Sequence, residues 1–120
     1  MKDLYNNICQ ICGKPLTLMD QVTYSECCHI QPVGGEHMGV DDKSNMLILC
    51  PNHHKIFDLG IITLDPEDIK TIIHVDKDNE LNGTKLKVLK HNISPICVRY
   101  HYEKIYMNLL IFIRGLLSII

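Results

Sequence analysis

The sequence predicts a small α+β domain, and the evidence is the spacing of apolar runs and of the residues that interrupt them. Two short apolar runs, at residues 22–30 and 46–49, predict strands separated by a loop rich in glycine and proline. A proline and a glycine then frame a helix of about nine residues at 51–59. Near the end of the chain a Ser-Pro pair opens a long helix that runs from residue 95 towards residue 120.

The segment between these two helices predicts further strands. Residues 61–64 form a short apolar run, and residues 65–68 read Asp-Pro-Glu-Asp, which is typical of a turn. Residues 71–75 and 85–89 flank an Asn-Gly pair, a strong hairpin signal. We therefore expect one domain over residues 1–120, with a core at 9–60 followed by a hairpin and the C-terminal helix at 61–120.

Composition limits the classes of protein to which the chain can belong. Its 120 residues suffice for one hydrophobic core, and 46% hydrophobic with 22% charged residues is typical of a folded globular chain. The formal net charge of −2 gives no basic surface overall, so binding of nucleic acid would need a local positive region or a bound metal. Six cysteines without a secretory signal predict reduced thiols and a cytoplasmic protein.

The apolar C-terminal segment is not predicted to cross a membrane. Residues 105–120 contain Asn108 and Arg114 and fall short of the ~20 consecutive apolar residues that a bilayer requires. Residues 109–120 are nevertheless more apolar than one helix needs against a small sheet. This excess suggests a homodimer formed through the apolar C-terminal helix.

Two pairs of residues have the three-residue spacing of structural zinc ligands. Cys9 and Cys12 flank a turn shaped by glycine and proline, and Cys50 and His53 lie at the start of the first helix. Together they make a Cys₃His set, which would close a tetrahedral zinc site and tie the N-terminal knuckle to that helix. Taken singly, the first pair also fits a redox pair or buried thiols, and the second a buried thiol and a surface imidazole.

A second group of residues fits a one-metal hydrolytic site. His29 ends the first strand before the glycine-rich loop, where an imidazole can face a cleft and act as a general base near neutral pH. His54 and Asp58 are four residues apart on one helix face and can share a divalent cation. Asn45 precedes the second strand, where its amide can brace the loop or the base.

Each of these residues also has a structural interpretation. A histidine at a strand end is often structural, an aspartate near a helix end is often solvated, and an asparagine before a strand often shapes a turn. It is their combination that favours catalysis.

The combined spacing resembles the HNH endonucleases, the ββα-metal superfamily. The matching residues read Glu-Cys-Cys-His-Ile at 26–30, then Pro32, Gly34-Gly35 and Ser44-Asn45, and finally Leu-Cys-Pro-Asn-His-His-Lys-Ile-Phe-Asp-Leu-Gly at 49–60. The resemblance covers residues 9–60 and is strongest to small zinc-bearing members of restriction and phage type. It implies a ββα-metal finger with a structural zinc knuckle, and a metal-dependent nuclease acting on DNA.

The resemblance also implies a role for each matching residue. His29 would be the general base that activates water, and Asn45 would orient the base and its loop. His54 would bind the catalytic divalent cation, which is magnesium or alternatively manganese, nickel or zinc. The structural zinc ligands of the zinc-bearing members correspond to Cys9, Cys12, Cys50 and His53.

Cys28 departs from the pattern of many HNH proteins, which place an aspartate before the first histidine as a second cation ligand. Thiolate is a poor ligand for magnesium, which prefers hard oxygen donors. The cation would then depend on His54, on Asp58 and on Glu26, which shares a strand face with Cys28. Otherwise activity would be weak or would need a softer metal.

We predict from the sequence a metal-dependent HNH endonuclease that hydrolyses DNA phosphodiester bonds. The alternative is a zinc-stabilised module that binds DNA or a protein partner without cutting, its catalytic metal site lost through Cys28. A nuclease acting on structured RNA is a further alternative. The pattern leaves open the sequence specificity, the choice between nicking and double-strand cleavage, and a setting in restriction, phage defence or a mobile element.

Overall fold

The strands of this chain pair two by two, as antiparallel hairpins or ribbons. The computed structural model describes residues 1–119. Strands β1 and β2 pair with each other, as do β3 and β4, and β5 and β6. Their bounds are β1 Leu16–Met19, β2 Val22–Tyr24, β3 Glu26–His29, β4 Met46–Leu49, β5 Ile62–Asp65 and β6 Asp68–His74.

Two helical regions accompany the strands. Helix α1 covers Pro51–Asp58, within one residue of the predicted helix. The long C-terminal helix is continuous and comprises α2, a π-helical segment and α3, at Pro95–Tyr100, His101–Tyr106 and Met107–Ile119. Its N-cap is Ser94, whose hydroxyl accepts a hydrogen bond from Cys97 N, as the Ser-Pro pair predicted. The predicted end of this helix at residue 120 lies outside the described residues.

The central unit consists of β3, β4 and α1 and confirms the predicted ββα arrangement. The β3–β4 register pairs His29 with Met46 at one end and Glu26 with Leu49 at the other. A single 3₁₀ turn, Lys43–Asn45, leads directly into β4. The register therefore brings the end of β3 beside Asn45, and Ile30 N donates to the Asn45 carbonyl at 2.9 Å.

The predicted strand at residues 22–30 is wrong, because the chain breaks it at Ser25. Ser25 is buried, and its hydroxyl donates to Asn7 Oδ1 at 2.6 Å. The Asn7 amide in turn donates to Thr23 Oγ1 at 3.1 Å, so the N-terminal segment holds the break in place. The first half becomes β2 and pairs with β1, an exposed strand that the sequence pattern did not reveal.

The predicted hairpin around Asn82 and Gly83 forms only in part, with backbone hydrogen bonds from Ile72 to Thr84 and from Gly83 to Ile72. Strand β6 pairs with β5 across the predicted Asp-Pro-Glu-Asp turn, whereas residues 85–89 form no strand and make one isolated bridge, Thr71 to Lys85. The Asn82 side chain accepts a hydrogen bond from His74 N at 3.0 Å and so closes a wider loop. The Asn-Gly pair is used in that loop and not in a two-residue turn.

The N-terminal knuckle is joined to the ββα unit through Gln10. Gln10 is fully buried, its backbone N donates to the Ile48 carbonyl, and its side-chain Oε1 accepts from Ile48 N, both at 2.8 Å. These bonds satisfy the backbone polar groups at this point of β4, which would otherwise be buried without partners. They also fix the Cys9–Cys12 turn beside the end of β4.

The hydrophobic core lies between the knuckle, the ββα unit, the β5–β6 hairpin and the start of the C-terminal helix. Its fully buried apolar side chains come from every one of these elements, which makes the core continuous. The largest are Ile11, Ile30, Leu47, Leu49, Phe57, Ile62, Leu64 and Ile72.

His101 attaches the C-terminal helix to the end of α1. Its ring stacks on Phe57 at a centroid distance of 3.9 Å, and its Nε2 donates to the Phe57 carbonyl at 2.8 Å. Its Nδ1 accepts from Thr63 Oγ1 at 2.7 Å. Gly60 permits this contact, since it has a φ of +82° and a Cβ there would lie 2.8 Å from the Ile105 carbonyl oxygen.

The outer part of α3 presents an apolar face to solvent. Ile111, Phe112, Leu116 and Leu117 each expose between 48% and 66% of their surface. Within residues 1–119, no helix combines the length and the apolar character needed to cross a membrane.

The buried imidazole of His101 predicts that the free energy of unfolding falls in mild acid. Burial lowers its pKa to about 4, and the hydrogen bond to the Phe57 carbonyl offsets part of that effect. Below the unfolded-state pKa of about 6.5, the unfolded chain takes up a proton that the folded chain does not. The contribution of His101 to the free energy of unfolding is therefore fully present above about pH 6.5. It declines towards pH 4, by on the order of 3 kcal/mol.

Urea denaturation across this pH range, on the parent and on His101→Gln, measures the effect. The variant should show the shallower pH dependence, because it has no imidazole at this position to titrate. Any other group that titrates in this range affects both proteins, so the difference between the two curves is the informative quantity. Parallel curves would contradict the prediction.

Candidate active site and metal centre

Cys9, Cys12, Cys50 and His53 converge on one point. Their ligand atoms all lie within 4.8 Å of one another. The Nδ1 atom of His53 lies 3.2 Å from Cys50 Sγ and 3.6 Å from Cys9 Sγ. Two ligands of a tetrahedral zinc ion, one sulfur and one nitrogen, stand roughly 3.5 Å apart, so the cluster has the dimensions of a metal site.

The chemistry of the cluster also fits a cation. Burial raises the pKa of the Cys50 thiol to about 11, and the neighbouring Cys9 and Cys12 thiols add to the shift. Burial likewise raises the pKa of Cys12 and lowers that of His53. Cys9 and Cys50 lie at hydrogen-bonding distance from the single Nδ1 atom of His53, whereas a divalent metal would bind all four side chains, with the cysteines as thiolates. The residues therefore fit a structural metal.

A cleft of about 440 Å³ opens on the other side of α1. It is lined by His29 from the end of β3, by His54 and Asp58 from α1, and by Cys27 and loop residues 32–34. The structure thus brings together three of the four residues that the sequence proposed for catalysis. Asn45, the fourth, lies behind the loop.

His29 is held by a carboxylate that the sequence analysis did not single out. Its Nε2 lies 2.9 Å from Asp41 Oδ1, and the side chain of His29 is 33% exposed while that of Asp41 is 74% exposed. A proton on Nε2 that is donated to Asp41 leaves Nδ1 with a free lone pair. The imidazole can then accept a proton at Nδ1.

His54 lies between two carboxylates, each of which meets a different ring nitrogen. Its Nδ1 is 2.8 Å from Glu26 Oε1, and its Nε2 is 3.2 Å from Asp58 Oδ2. The hydrogen bonds from Tyr24 and from His54 hold the pKa of Glu26 below its usual range, so Glu26 is an anionic acceptor. A proton on Nδ1 leaves Nε2 free for a cation that Asp58 could share.

Cys28 lies beneath this pair and is fully buried. Its Sγ is 3.6 Å from Asp58 Oδ1, and the ligand atoms of Cys28, His54 and Asp58 all lie within 4.8 Å of one another. Burial first, and then the Asp58 carboxylate, raises the pKa of this thiol well above its usual range. Without a cation, Cys28 is therefore a neutral thiol that donates to Asp58.

Asn45 braces the loop that forms one wall of the cleft. It is fully buried, its Nδ2 donates to the carbonyls of Gln31 and Val40, and its Oδ1 accepts from Gln31 N, all three at 2.8 Å. One amide thus clamps the two ends of the loop. Gly39 allows the close approach, because a Cβ there would lie 2.1 Å from the Gln31 carbonyl oxygen.

Comparison with known proteins agrees with this geometry. Residues 9–65, which carry both side-chain clusters, match the protein family described as HNH endonuclease. Over this segment the chain is similar to HNH endonucleases. Among solved structures, the domain is similar to a modification dependent TagI restriction endonuclease, with a TM-score of 0.74 and 35% sequence identity. The match covers 87% of this chain and 35% of that protein, so the chain spans about a third of its length. No curated protein sequence gives a significant match.

Three residues next to the cleft differ from expectation. Glu26, a candidate cation ligand by its strand face, is hydrogen-bonded to His54 and contacts the ring nitrogen that faces away from Asp58. Asp41 reaches His29 only through the folded loop. No spacing rule links residues 12 positions apart across an irregular loop. Cys28 is buried in the core, and its sulfur also faces the His54–Asp58 pair.

The clamp made by Asn45 predicts a large loss of stability for Asn45→Ala. The change leaves the N–H and carbonyl of Gln31 and the carbonyl of Val40 without their partner, at a cost on the order of 3 kcal/mol. Urea denaturation should show this loss, whereas the exposed Asn52→Ala on α1 should change stability by less than about 0.5 kcal/mol. Equal effects of the two substitutions would show that the clamp is unimportant.

Proposed function

We propose that this HNH domain is a metal-dependent endonuclease that hydrolyses phosphodiester bonds of DNA. The observation that carries the proposal is that His29 and the His54–Asp58 pair line the same cleft. A proton acceptor and a cation site in one cleft are the two requirements of one-metal phosphodiester hydrolysis. The HNH family match and the similarity to a restriction endonuclease support it.

In the proposed mechanism, His29 removes the proton of the attacking water. The Asp41 carboxylate holds the Nε2–H of His29, so the proton from water goes to Nδ1. As that proton arrives the ring becomes an imidazolium ion, which the adjacent carboxylate stabilises. Asn45 keeps the loop beside His29 in one conformation, and so acts as a positioning residue.

His54 and Asp58 would hold the catalytic divalent cation. A bound cation would stabilise the charge that develops on the phosphate and on the leaving oxygen. Glu26 fixes the ring of His54 through Nδ1 and directs Nε2 to the side of Asp58. The carboxylates of Glu26, Asp41 and Asp58 make the cleft acidic, which favours a cation and disfavours a phosphate unless a cation is present.

DNA as the substrate is supported by the comparison with the TagI restriction endonuclease, and a role in restriction or phage defence would follow from it. The cleft itself contains no group that would distinguish DNA from RNA.

The central prediction is that the protein nicks supercoiled plasmid in the presence of a divalent metal and that His29→Ala abolishes the activity. Removal of a general base should lower the rate by roughly 100-fold or more. A matched control is His74→Gln, which changes a histidine on β6 outside the cleft and should cut at the parent rate. EDTA should stop cleavage by both active proteins.

Two results of this experiment would contradict the proposal. Equal cleavage by His29→Ala and the parent would remove His29 from the mechanism. Retarded plasmid without cutting, whichever divalent metal is added, would instead make the domain a binding module. A parallel assay with a structured RNA tests the remaining alternative.

The Cys₃His cluster would hold structural Zn²⁺. The six free thiols suit the reducing conditions of a cytoplasm.

Because metal binding contributes to folding free energy, Cys12→Ser should lose one tightly bound metal per chain relative to the parent and unfold at a lower temperature. Cys27→Ser, which changes a cysteine outside the cluster, should keep that metal. Metal analysis of the purified proteins and thermal denaturation measure both effects. The same metal content in Cys12→Ser and the parent would refute the assignment.

A homodimer through α3 is the remaining part of the proposal. The exposed apolar residues Ile111, Phe112, Leu116 and Leu117 support it, since removing them from water is favourable. Two copies so joined could act on opposite strands of one duplex.

Light scattering coupled to size-exclusion chromatography should give a molar mass twice that of one chain. A monomer at micromolar concentration would exclude the dimer.

A further inference from the structure

We infer that Cys28, His54 and Asp58 together form a mixed sulfur, nitrogen and oxygen site for a borderline metal ion such as Zn²⁺, Co²⁺ or Ni²⁺, in preference to Mg²⁺. This inference extends the proposed function, because it names the cation of the same cleft. It rests on the proposed cation site and does not depend on DNA being cut.

One ligand atom from each of the three residues lies within 4.8 Å of the other two, close to the separations that one ion requires. Cys28 Sγ lies 3.6 Å from Asp58 Oδ1, and His54 Nε2 lies 3.2 Å from Asp58 Oδ2. With metal–ligand bonds of about 2.0–2.3 Å, neighbouring ligands of a tetrahedral ion stand roughly 3.3–3.8 Å apart. An ion therefore fits among them with small movements of the side chains.

The fold holds two of these ligands, Cys28 and His54, in place. Cys28 is in the middle of β3, paired with Leu47, and has no solvent exposure, so its sulfur has no other position to occupy. The ring of His54 is fixed by the hydrogen bond from Nδ1 to Glu26. Such an orienting carboxylate behind a histidine is typical of metal-binding histidines.

The identity of the ligands determines which metals the site would prefer. Mg²⁺ requires a near-octahedral set of oxygen ligands, and this site offers one carboxylate. Sulfur and imidazole ligands favour zinc and its neighbours in the transition series. On binding, the ion would displace the proton from the Cys28 thiol to solvent and take the sulfur as a thiolate ligand.

The ligand count separates this site from the Cys₃His cluster on the other side of α1. That cluster supplies four protein ligands, which leaves no position for water or substrate. The cleft site supplies three, and three protein ligands with one open position are the arrangement of catalytic zinc sites. One short helix would thus contribute to a closed metal site and to an open one.

Cobalt titration tests the inference through a sulfur-specific signal. The purified protein, with its structural metal already bound, is titrated with Co²⁺ while the sulfur-to-cobalt charge-transfer absorption is recorded. The absorption should appear with the parent and with Cys27→Ser, which removes the neighbouring thiol that is not part of the cluster. It should be absent from Cys28→Ser and His54→Ala, with the affinity for Co²⁺ lowered by roughly 100-fold.

Competition distinguishes the preferred ion. Zn²⁺ should remove the cobalt signal at equal concentration, whereas Mg²⁺ in about 1,000-fold excess should leave it. Displacement by Mg²⁺ would overturn the inference. So would a signal that survives in both Cys28→Ser and His54→Ala, because the cobalt would then reside in the Cys₃His cluster.

Cys28→Asp provides a second variant in case the serine variant does not fold. It should lose the sulfur signal and gain affinity for Mg²⁺, since it adds a hard oxygen ligand. A retained signal in this variant would overturn the inference.

The plasmid assay separates this inference from the proposed nuclease. Cobalt bound through Cys28 without any nicking would leave the metal site intact and remove the proposed activity. Equal Mg²⁺-dependent nicking by the parent and Cys28→Ser would support the proposed nuclease and remove the metal site inferred at Cys28.

Discussion

The structure depends on how α1 is anchored at its first turn. An isolated helix of eight residues is not stable in water, because the cost of nucleation exceeds the gain from so few hydrogen bonds. Here the first turn carries Cys50 and His53, which meet Cys9 and Cys12 of the knuckle. The last turn carries Phe57, which is buried and stacked on His101. The helix is therefore held at both ends by contacts with distant parts of the chain.

The periodicity of the helix and of β3 then separates the two candidate metal sites. Consecutive residues on a helix project about 100° apart, so His53 faces the knuckle while His54 faces the cleft. Residues alternate along a strand, so Cys28 and Glu26 lie on the face next to α1, and Cys27 and His29 reach the cleft. A shift of one residue in β3 would exchange its two faces.

The polar groups near the cleft are arranged in pairs, and each pair defines a proton position. Asp41 fixes the proton of His29, and Glu26 fixes that of His54. In the proposed mechanism this leaves the two imidazoles for different tasks, one to accept a proton and the other to bind a cation. The amide of Asn45 fixes the backbone that brings Asp41 towards His29.

The sequence by itself determined the membership of the Cys₃His cluster, the ββα order of elements, the bounds of α1 to within one residue and the start of the C-terminal helix. These features follow from local spacing, from capping residues and from motifs, which are properties of neighbouring residues. Only the tertiary structure decided the break at Ser25, the pairing of β5 with β6, the partner of His29 and the approach of Cys28 to His54 and Asp58. Each of these depends on contacts between residues far apart in the chain. Their energies come from burial and from hydrogen bonds that form only when the core has assembled.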